Sequence, residues 1–217
     1  MDAVGEQTAR SWPRGLTLIP EYISPATEAD LVNYFAEEAK SHWTALSSRR
    51  VILYGLHFVQ SDTSHRRYTR VTPEPIQRLA ERLVADGYQD QLANHILVNE
   101  YKVGQGIMPH EDGPAFVPNA AIISLLSATV LDFYRKDSAD RSTPTTSIRL
   151  PPRSLCIIAD EAYTSYLHGI AERIAGAGED RGYRLSLTFR HAILPLPAAA
   201  TEPAKEKRIL NLLQRRR

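Results

Sequence analysis

Three separated segments carry residue types that could do chemistry together: His110-Glu111-Asp112, then Leu167-His168-Gly169, then Arg184-Leu185-Ser186-Leu187-Thr188-Phe189-Arg190. If His110 and Asp112 lie on one strand, their side chains leave the same face, so an imidazole and a carboxylate can reach one metal ion while His168 arrives from a distant segment. Two histidines and one carboxylate on one face of an octahedron describe a mononuclear Fe(II) site. They leave three positions open, enough for a bidentate oxo-acid and O2.

The arginine pair supplies what such an oxo-acid needs. Positions 184, 186, 188 and 190 share a strand face, and the two arginine Cα atoms would stand roughly 20 Å apart. Two guanidinium groups folded inward, each reaching roughly 6 to 7 Å, leave a gap of about the length of a five-carbon dicarboxylate. Arg184 and Arg190 could therefore grip 2-oxoglutarate at its two ends by bidentate pairing. The spacing does not say which arginine takes which end. Asn99 and Tyr101 share a strand face and add an amide and a phenol to the donors available.

Taken together, Asn99-Glu100-Tyr101, His110-Glu111-Asp112, His168 and Arg184 to Arg190 follow the pattern Asn-x-Tyr, His-x-Asp, a distal His and Arg-x5-Arg in order. The chain thereby resembles the AlkB family of Fe(II)/2-oxoglutarate-dependent dioxygenases. The stretches Leu97 to Tyr101, Gly106 to Pro114 and Tyr166 to Ile170 are most similar to the AlkB homologue 6 subgroup.

The resemblance implies that His110, Asp112 and His168 are the catalytic metal ligands for Fe(II), with 2-oxoglutarate and O2 as co-substrates. It assigns Asn99, Tyr101, Arg184, Ser186 and Arg190 to the 2-oxoglutarate site. Arg184 and Tyr101 would meet the distal carboxylate, and Arg190 and Asn99 would lie nearer the metal. Ser186 stands where repair-type members carry asparagine, and Pro114 stands where they place an acidic base-reading residue. Oxidation of an N-methyl group on a nucleobase, followed by loss of formaldehyde, is the implied activity, with single-stranded or modified RNA or DNA as partner. The same chemistry on a protein side chain or small molecule is the second reading. A third is a module that reads modified nucleic acid without turnover; the complete metal set and arginine pair argue against it.

A modified base must leave its stack to reach a pocketed metal, so a gripping lid is expected over residues 48–70. Arg49 and Arg50, Tyr54, His57 and Phe58, then His65 to Arg70, mix phosphate-seeking cations with stacking rings there, and Arg50, Tyr54, Arg66, Arg67, Tyr68 and Arg70 are the candidate substrate-binding residues. His42, His57, His65, His95 and His191 are scattered singly and read as surface or hydrogen-bonded residues. Glu111 points away from its neighbours' strand face and reads as solvent-facing.

These residues need a scaffold of short strands. Runs at 96–101, 107–112, 120–126, 129–134, 146–150, 154–158 and 184–190, with 50–59 upstream, are β-branched or alternating and are separated by Gly and Pro. Two helices precede most of them, one capped by Thr27 and running to about Lys40, the other starting after Thr72 with Pro73 and Pro75 in its first turn and stopping at Gly87. Two helices followed by many strands predict an α+β domain, a double-stranded β-helix (jelly roll) with N-terminal helices packed on one side.

Length and composition fit one such domain: 217 residues with a net charge of +1. The expected organisation is a flexible lead over 1–15, a dioxygenase domain over 16–194 with its core at 95–191, and an Ala/Pro linker with a basic tail over 195–217. Residues 202–217 carry +4, which leaves −3 for the rest. The tail's Ile209, Leu210, Leu212 and Leu213 suggest a short amphipathic helix. The lone Cys156 sits in an apolar run and reads as a buried thiol. With no long apolar run and no signal-type leader, an intracellular monomer of the cytoplasm or nucleus, without membrane attachment, is expected.

Overall fold

Alternation along Arg184–Arg190 (β14) sets the architecture: Leu185, Leu187 and Phe189 point to one side of a sheet, and Arg184, Ser186, Thr188 and Arg190 to the other. The computed structural model describes residues 12–58, 66–173, 175–176 and 179–193. In chain order the elements are β1 (Leu16–Ile19), α1 (Pro25–Ala36), β2 (Thr44–Ala45), β3 (Arg50–Phe58), β4 (Arg66–Arg70), α2 (Glu74–Ala85), β5 (His95–Tyr101) and β6 (Ile107–His110). Then come β7 (Asn119–Leu125), β8 (Thr129–Arg135), β9 (Thr146–Leu150), β10 (Leu155–Ala159), α3 (Asp160–Thr164), β11 (Tyr166–Ile170), the short pair β12 (Ala175–Gly176) and β13 (Glu179–Asp180), and β14.

The major sheet runs β1-β10-β7-β14-β5-β3-β2, with β4 paired on β3, and the minor sheet runs β6-β11-β8-β9. All pairs are antiparallel. Helices α1 and α2 cover one face of the major sheet, where Leu31, Phe35, Ile76, Leu79 and Leu83 meet Ile52, Ile96, Val98, Leu187 and Phe189. The opposite face and the minor sheet enclose a second core around Ile122, Leu131, Phe133 and Ile148. This is the jelly-roll arrangement, and the polar residues of β14, with His95, Asn99 and Tyr101 of β5, fall on the inner face at its mouth.

Several elements differ from the sequence expectation. Helix α1 begins three residues early: Ser24, in extended conformation, accepts the Thr27 N–H on its Oγ at 3.1 Å, and Pro25 takes the first helical position, where a missing N–H costs nothing. Residues 12–15, assigned to the flexible lead, are tied to the body. The Ala159 N–H donates to the Gly15 carbonyl and the Ala162 N–H to the Arg14 carbonyl. Gly15 has φ +85°, and a Cβ there would stand 2.3 Å from the Ala159 oxygen, so only glycine permits this approach. Residues 1–11 and the tail from 194, including the predicted amphipathic helix, lie outside the described residues. Cys156 is fully buried, and burial pushes its thiol up to about 12.

Candidate active site

The minor sheet places the two histidines. His168 of β11 pairs directly opposite His110 of β6, and the ring centroids lie 4.5 Å apart. Close approach of these strands depends on Gly169, since a Cβ there would stand 2.8 Å from the Pro109 nitrogen and 2.9 Å from the Ile107 oxygen. The Nδ1 of His110 lies 2.9 Å from the Met108 carbonyl oxygen. A carbonyl only accepts, so Nδ1 carries the proton and Nε2 keeps its lone pair.

Strand β6 ends at His110, shorter than the expected 107–112, so Asp112 is delivered by the following loop and not by strand alternation. Three contacts fix that loop. Arg190 of the major sheet forms an ion pair with the Asp112 carboxylate, Tyr163 of α3 donates its hydroxyl to the Gly113 carbonyl at 3.2 Å, and Lys136 pairs with Glu111 at 2.7 Å. The solvent-facing reading of Glu111 thus acquires a partner. One donor atom from each of His110, Asp112 and His168 falls within 4.8 Å of the others, close enough to hold one metal ion.

Electrostatics keep these groups in their ligating states. Burial, then the neighbouring His110, push His168 down to about 3, so its imidazole is neutral at physiological pH. Burial likewise lowers His110, against the pull of Asp112. Burial works to raise the Asp112 carboxyl, but the Arg190 guanidinium and the imidazoles of His168 and His110 outweigh it and hold it below its ordinary value.

The inner face of the major sheet supplies the second half of the site. Register sets Arg184 opposite Tyr101, Ser186 opposite Asn99 and Arg190 opposite His95. Arg184 is 3% exposed, donates to Ser124 Oγ at 2.9 Å and lies 5.5 Å from the Tyr101 ring centroid. The Nε atoms of Arg184 and Arg190 are both buried without a hydrogen-bond partner among the described residues. Two buried guanidinium groups with unmet donors, on one strand beside the His-Asp-His cluster, fit a dicarboxylate running along β14 toward a metal. Asn99, Tyr101, Ser186, Thr188 and His95 line the same cavity, whose volume is ≈ 440 Å³. His95 is buried and hydrogen-bonded, its Nδ1 2.9 Å from the Leu56 carbonyl oxygen.

The expected lid divides. Residues 50–58 and 66–70 form the antiparallel strands β3 and β4, and β3 lies inside the major sheet beside β5. Tyr54 is a correction: it is fully buried on the helix side, its hydroxyl 3.3 Å from that of Tyr34, leaving no ring face for a base. Arg50 is another. It sits on the helix-side face, pairs with the buried Glu100 and stacks 5.2 Å from the Trp43 ring centroid. Arg70 does line the cavity. The side chains of Arg66, Arg67 and Tyr68, and residues 59–65, lie outside the described residues.

Arg49 is the site residue whose place the sequence concealed. Adjacent to Arg50, it points the opposite way, is 3% exposed and donates Nε to Asn99 Oδ1 at 2.9 Å. Alternation shows that two neighbours face opposite sides, and only the pairing of Val51 with Asn99 reveals which side is the cavity. His42 also lines the cavity, with a buried Nδ1 that has no hydrogen-bond partner among the described residues.

Known proteins resemble this chain in sequence and fold. Residues 15–190 match the profile of the 2OG-Fe(II) oxygenase superfamily. The chain is 35% identical over 205 residues to the probable RNA/DNA demethylase ALKBH6 of Danio rerio, covering 82% of this chain and 86% of the relative. It is 33% identical to the uncharacterized protein L905 of Acanthamoeba polyphaga mimivirus, with 82% and 85% covered. The solved structure of OsALKBH1 superposes with a TM-score of 0.63 at 14% identity, over 84% of this chain and 100% of that one, which is a likeness of fold.

Proposed function

Because this chain belongs to the AlkB family of the 2OG-Fe(II) oxygenase superfamily, and is a dioxygenase using Fe(II), 2-oxoglutarate and O2, we propose that it oxidatively demethylates N-alkylated bases in RNA or DNA. The observation that carries the reading is the His110, Asp112 and His168 cluster at one end of the arginine-bearing face of β14, inside a cavity of ≈ 440 Å³. A relative matched over 86% of its length is named a probable RNA/DNA demethylase, which supports the substrate class.

O2, reduced at the bound iron, would supply the oxidising power, with two of its electrons drawn from 2-oxoglutarate as that co-substrate is decarboxylated to succinate and CO2. The chain's residues do the rest. His110, Asp112 and His168 would hold the metal by three positions and leave three open. Arg184, with Tyr101 and Ser124 beside it, would fix the distal carboxylate, and Arg190 and Asn99 would steady the end nearer the metal. Ser186 offers a hydroxyl between them. Burial of both arginines excludes water that would compete for the carboxylates. Arg190 has a second duty, since its contact with Asp112 keeps that carboxylate ionised and aimed.

The substrate would enter from the β3–β4 side, where Arg70 reaches the cavity and Arg66, Arg67 and Tyr68 belong to the same strand. No helix among the described residues is long and apolar enough to cross a membrane. The test measures succinate and formaldehyde with methylated single-stranded RNA, single-stranded DNA and histone peptides. Stoichiometric formaldehyde from a nucleic acid supports the reading; product only from the peptides refutes it.

A further inference from the structure

Four guanidinium groups, those of Arg49, Arg70, Arg184 and Arg190, line the cavity against two carboxylates, Glu111 and Asp112. Both carboxylates are engaged: Glu111 by Lys136 at 2.7 Å and Asp112 by Arg190. A divalent metal and a dicarboxylate dianion carry equal and opposite charge, so loading the site leaves the excess of cation in place. Arg184 and Arg190 are spoken for by the co-substrate and by Asp112. Arg49 is not. It is 3% exposed, its hydrogen-bond acceptor is the neutral Asn99 amide, and it forms no ion pair among the described residues.

Among the described residues that line the cavity, no carboxylate is left to receive a positively charged substrate. Pro114, two residues beyond Asp112, is exposed and offers no side-chain acceptor. Charges in such a cavity interact through an effective dielectric well below that of water, so a second cation beside Arg49 is repelled on the order of tenfold to a hundredfold in affinity. A neutral heteroaromatic ring meets no such cost, and the Nδ1 of His42, unpartnered among the described residues, is available to hydrogen-bond its edge.

We infer that the enzyme selects a base that remains uncharged when alkylated, and that Arg49 is the specificity-determining residue that turns base cations away. The inference rests on the nucleic-acid reading above and narrows it to one charge class. Two isomers separate the classes cleanly. Methylation of adenine at N1 makes the ring a cation at neutral pH, whereas methylation at the exocyclic N6 leaves it neutral, with one methyl group added in each case and the same kind of N-methyl C–H bonds.

The experiment gives the full chain, with Fe(II), 2-oxoglutarate and O2 at pH 7, matched single-stranded oligomers carrying one or the other isomer, and reads kcat/KM for formaldehyde release. The neutral isomer is expected to be preferred at least tenfold. Arg49→Met should shrink that preference about tenfold and Arg49→Lys should retain it. Disturbing Asn99 through Arg49 alters 2-oxoglutarate binding equally for both isomers, so the ratio isolates the charge effect. Preference for the N1 isomer by the unaltered chain, or an unchanged ratio in Arg49→Met, overturns the inference while the demethylase reading stands. Failure on both isomers, with 2-oxoglutarate still consumed, removes the nucleic-acid reading and the inference with it.

Discussion

Replacing Arg184 by methionine should strengthen the free protein while disabling it. The guanidinium is 3% exposed and has one hydroxyl, Ser124 Oγ, and the Tyr101 ring for company. Burial, opposed in part by Tyr101, pushes this arginine down to about 10. That is roughly 2.5 pH units below its ordinary value, or about 3 kcal/mol of destabilisation carried by the charged form at neutral pH. Methionine keeps an apolar stem of similar length and removes the charge. The lost ring contact and hydroxyl bond return about 1 to 2 kcal/mol, so the net gain is about 1 kcal/mol, or roughly 2 to 4 °C in Tm for a domain of this size. The co-substrate loses its partner at the same time. Removing one side of a desolvated charge pair costs about 2 to 5 kcal/mol, which raises the 2-oxoglutarate requirement from tens of times to thousands of times. Thermal unfolding with and without 2-oxoglutarate reads both effects in one series, because ligand stabilisation follows RT ln(1 + [L]/Kd). A variant that melts lower than the parent in the absence of ligand, or that gains as much from 2-oxoglutarate as the parent does, would refute the reasoning.

The remaining predictions concern the metal half of the site and the buried lid tyrosine. Alanine at His110, Asp112 or His168 should abolish succinate formation with cooperative unfolding retained; anaerobic Fe(II) titration checks it, and near-normal turnover in any of the three sinks the assignment. Because the folded protein holds His168 neutral down to about pH 3 while the unfolded chain protonates it near pH 6.5, the unfolded state binds the extra proton, and stability of the metal-free protein should fall as pH drops through that window. His168→Gln should flatten the fall in urea midpoints between pH 6.5 and 4. Gly169→Ala should force β6 and β11 apart and weaken Fe(II) binding by at least tenfold, measured by the same titration, with 2-oxoglutarate affinity at Arg184 much less affected. Tyr54→Phe should cost about 1 kcal/mol through the lost Tyr34 contact and leave oligonucleotide affinity unchanged in a fluorescence polarisation assay.

The site was legible in the sequence where local periodicity and side-chain chemistry coincide. Strand alternation alone aligned Arg184, Ser186 and Arg190, and β14 spans the expected residues. Asp112 shows the limit of that logic, since it converges through a loop held by Tyr163, Lys136 and Arg190, contacts spanning many residues that no local pattern records. The pair Arg49-Arg50 shows a second limit. Composition marks both as phosphate-seeking cations, and strand register sends one to the cavity and the other to Glu100 on the far face. Tyr54 failed for the same reason, an aromatic in a basic segment that the sheet turns into the core. Strand β11 carries His168 yet gave little β signal, because its glycine serves close strand approach and not β propensity.

The position of β14 bears on how the protein is made. Last among the described strands to leave the ribosome, it inserts between β7 and β5, in the middle of the major sheet. Until it does, the nascent chain holds two half-sheets with bare edges, which calls for protection from pairing with other chains. The same insertion brings Arg190 to Asp112, so the carboxylate of the candidate metal cluster is steadied only after synthesis has passed residue 190. A site whose carboxylate is aimed only at that point would take up iron only once its enclosing walls exist.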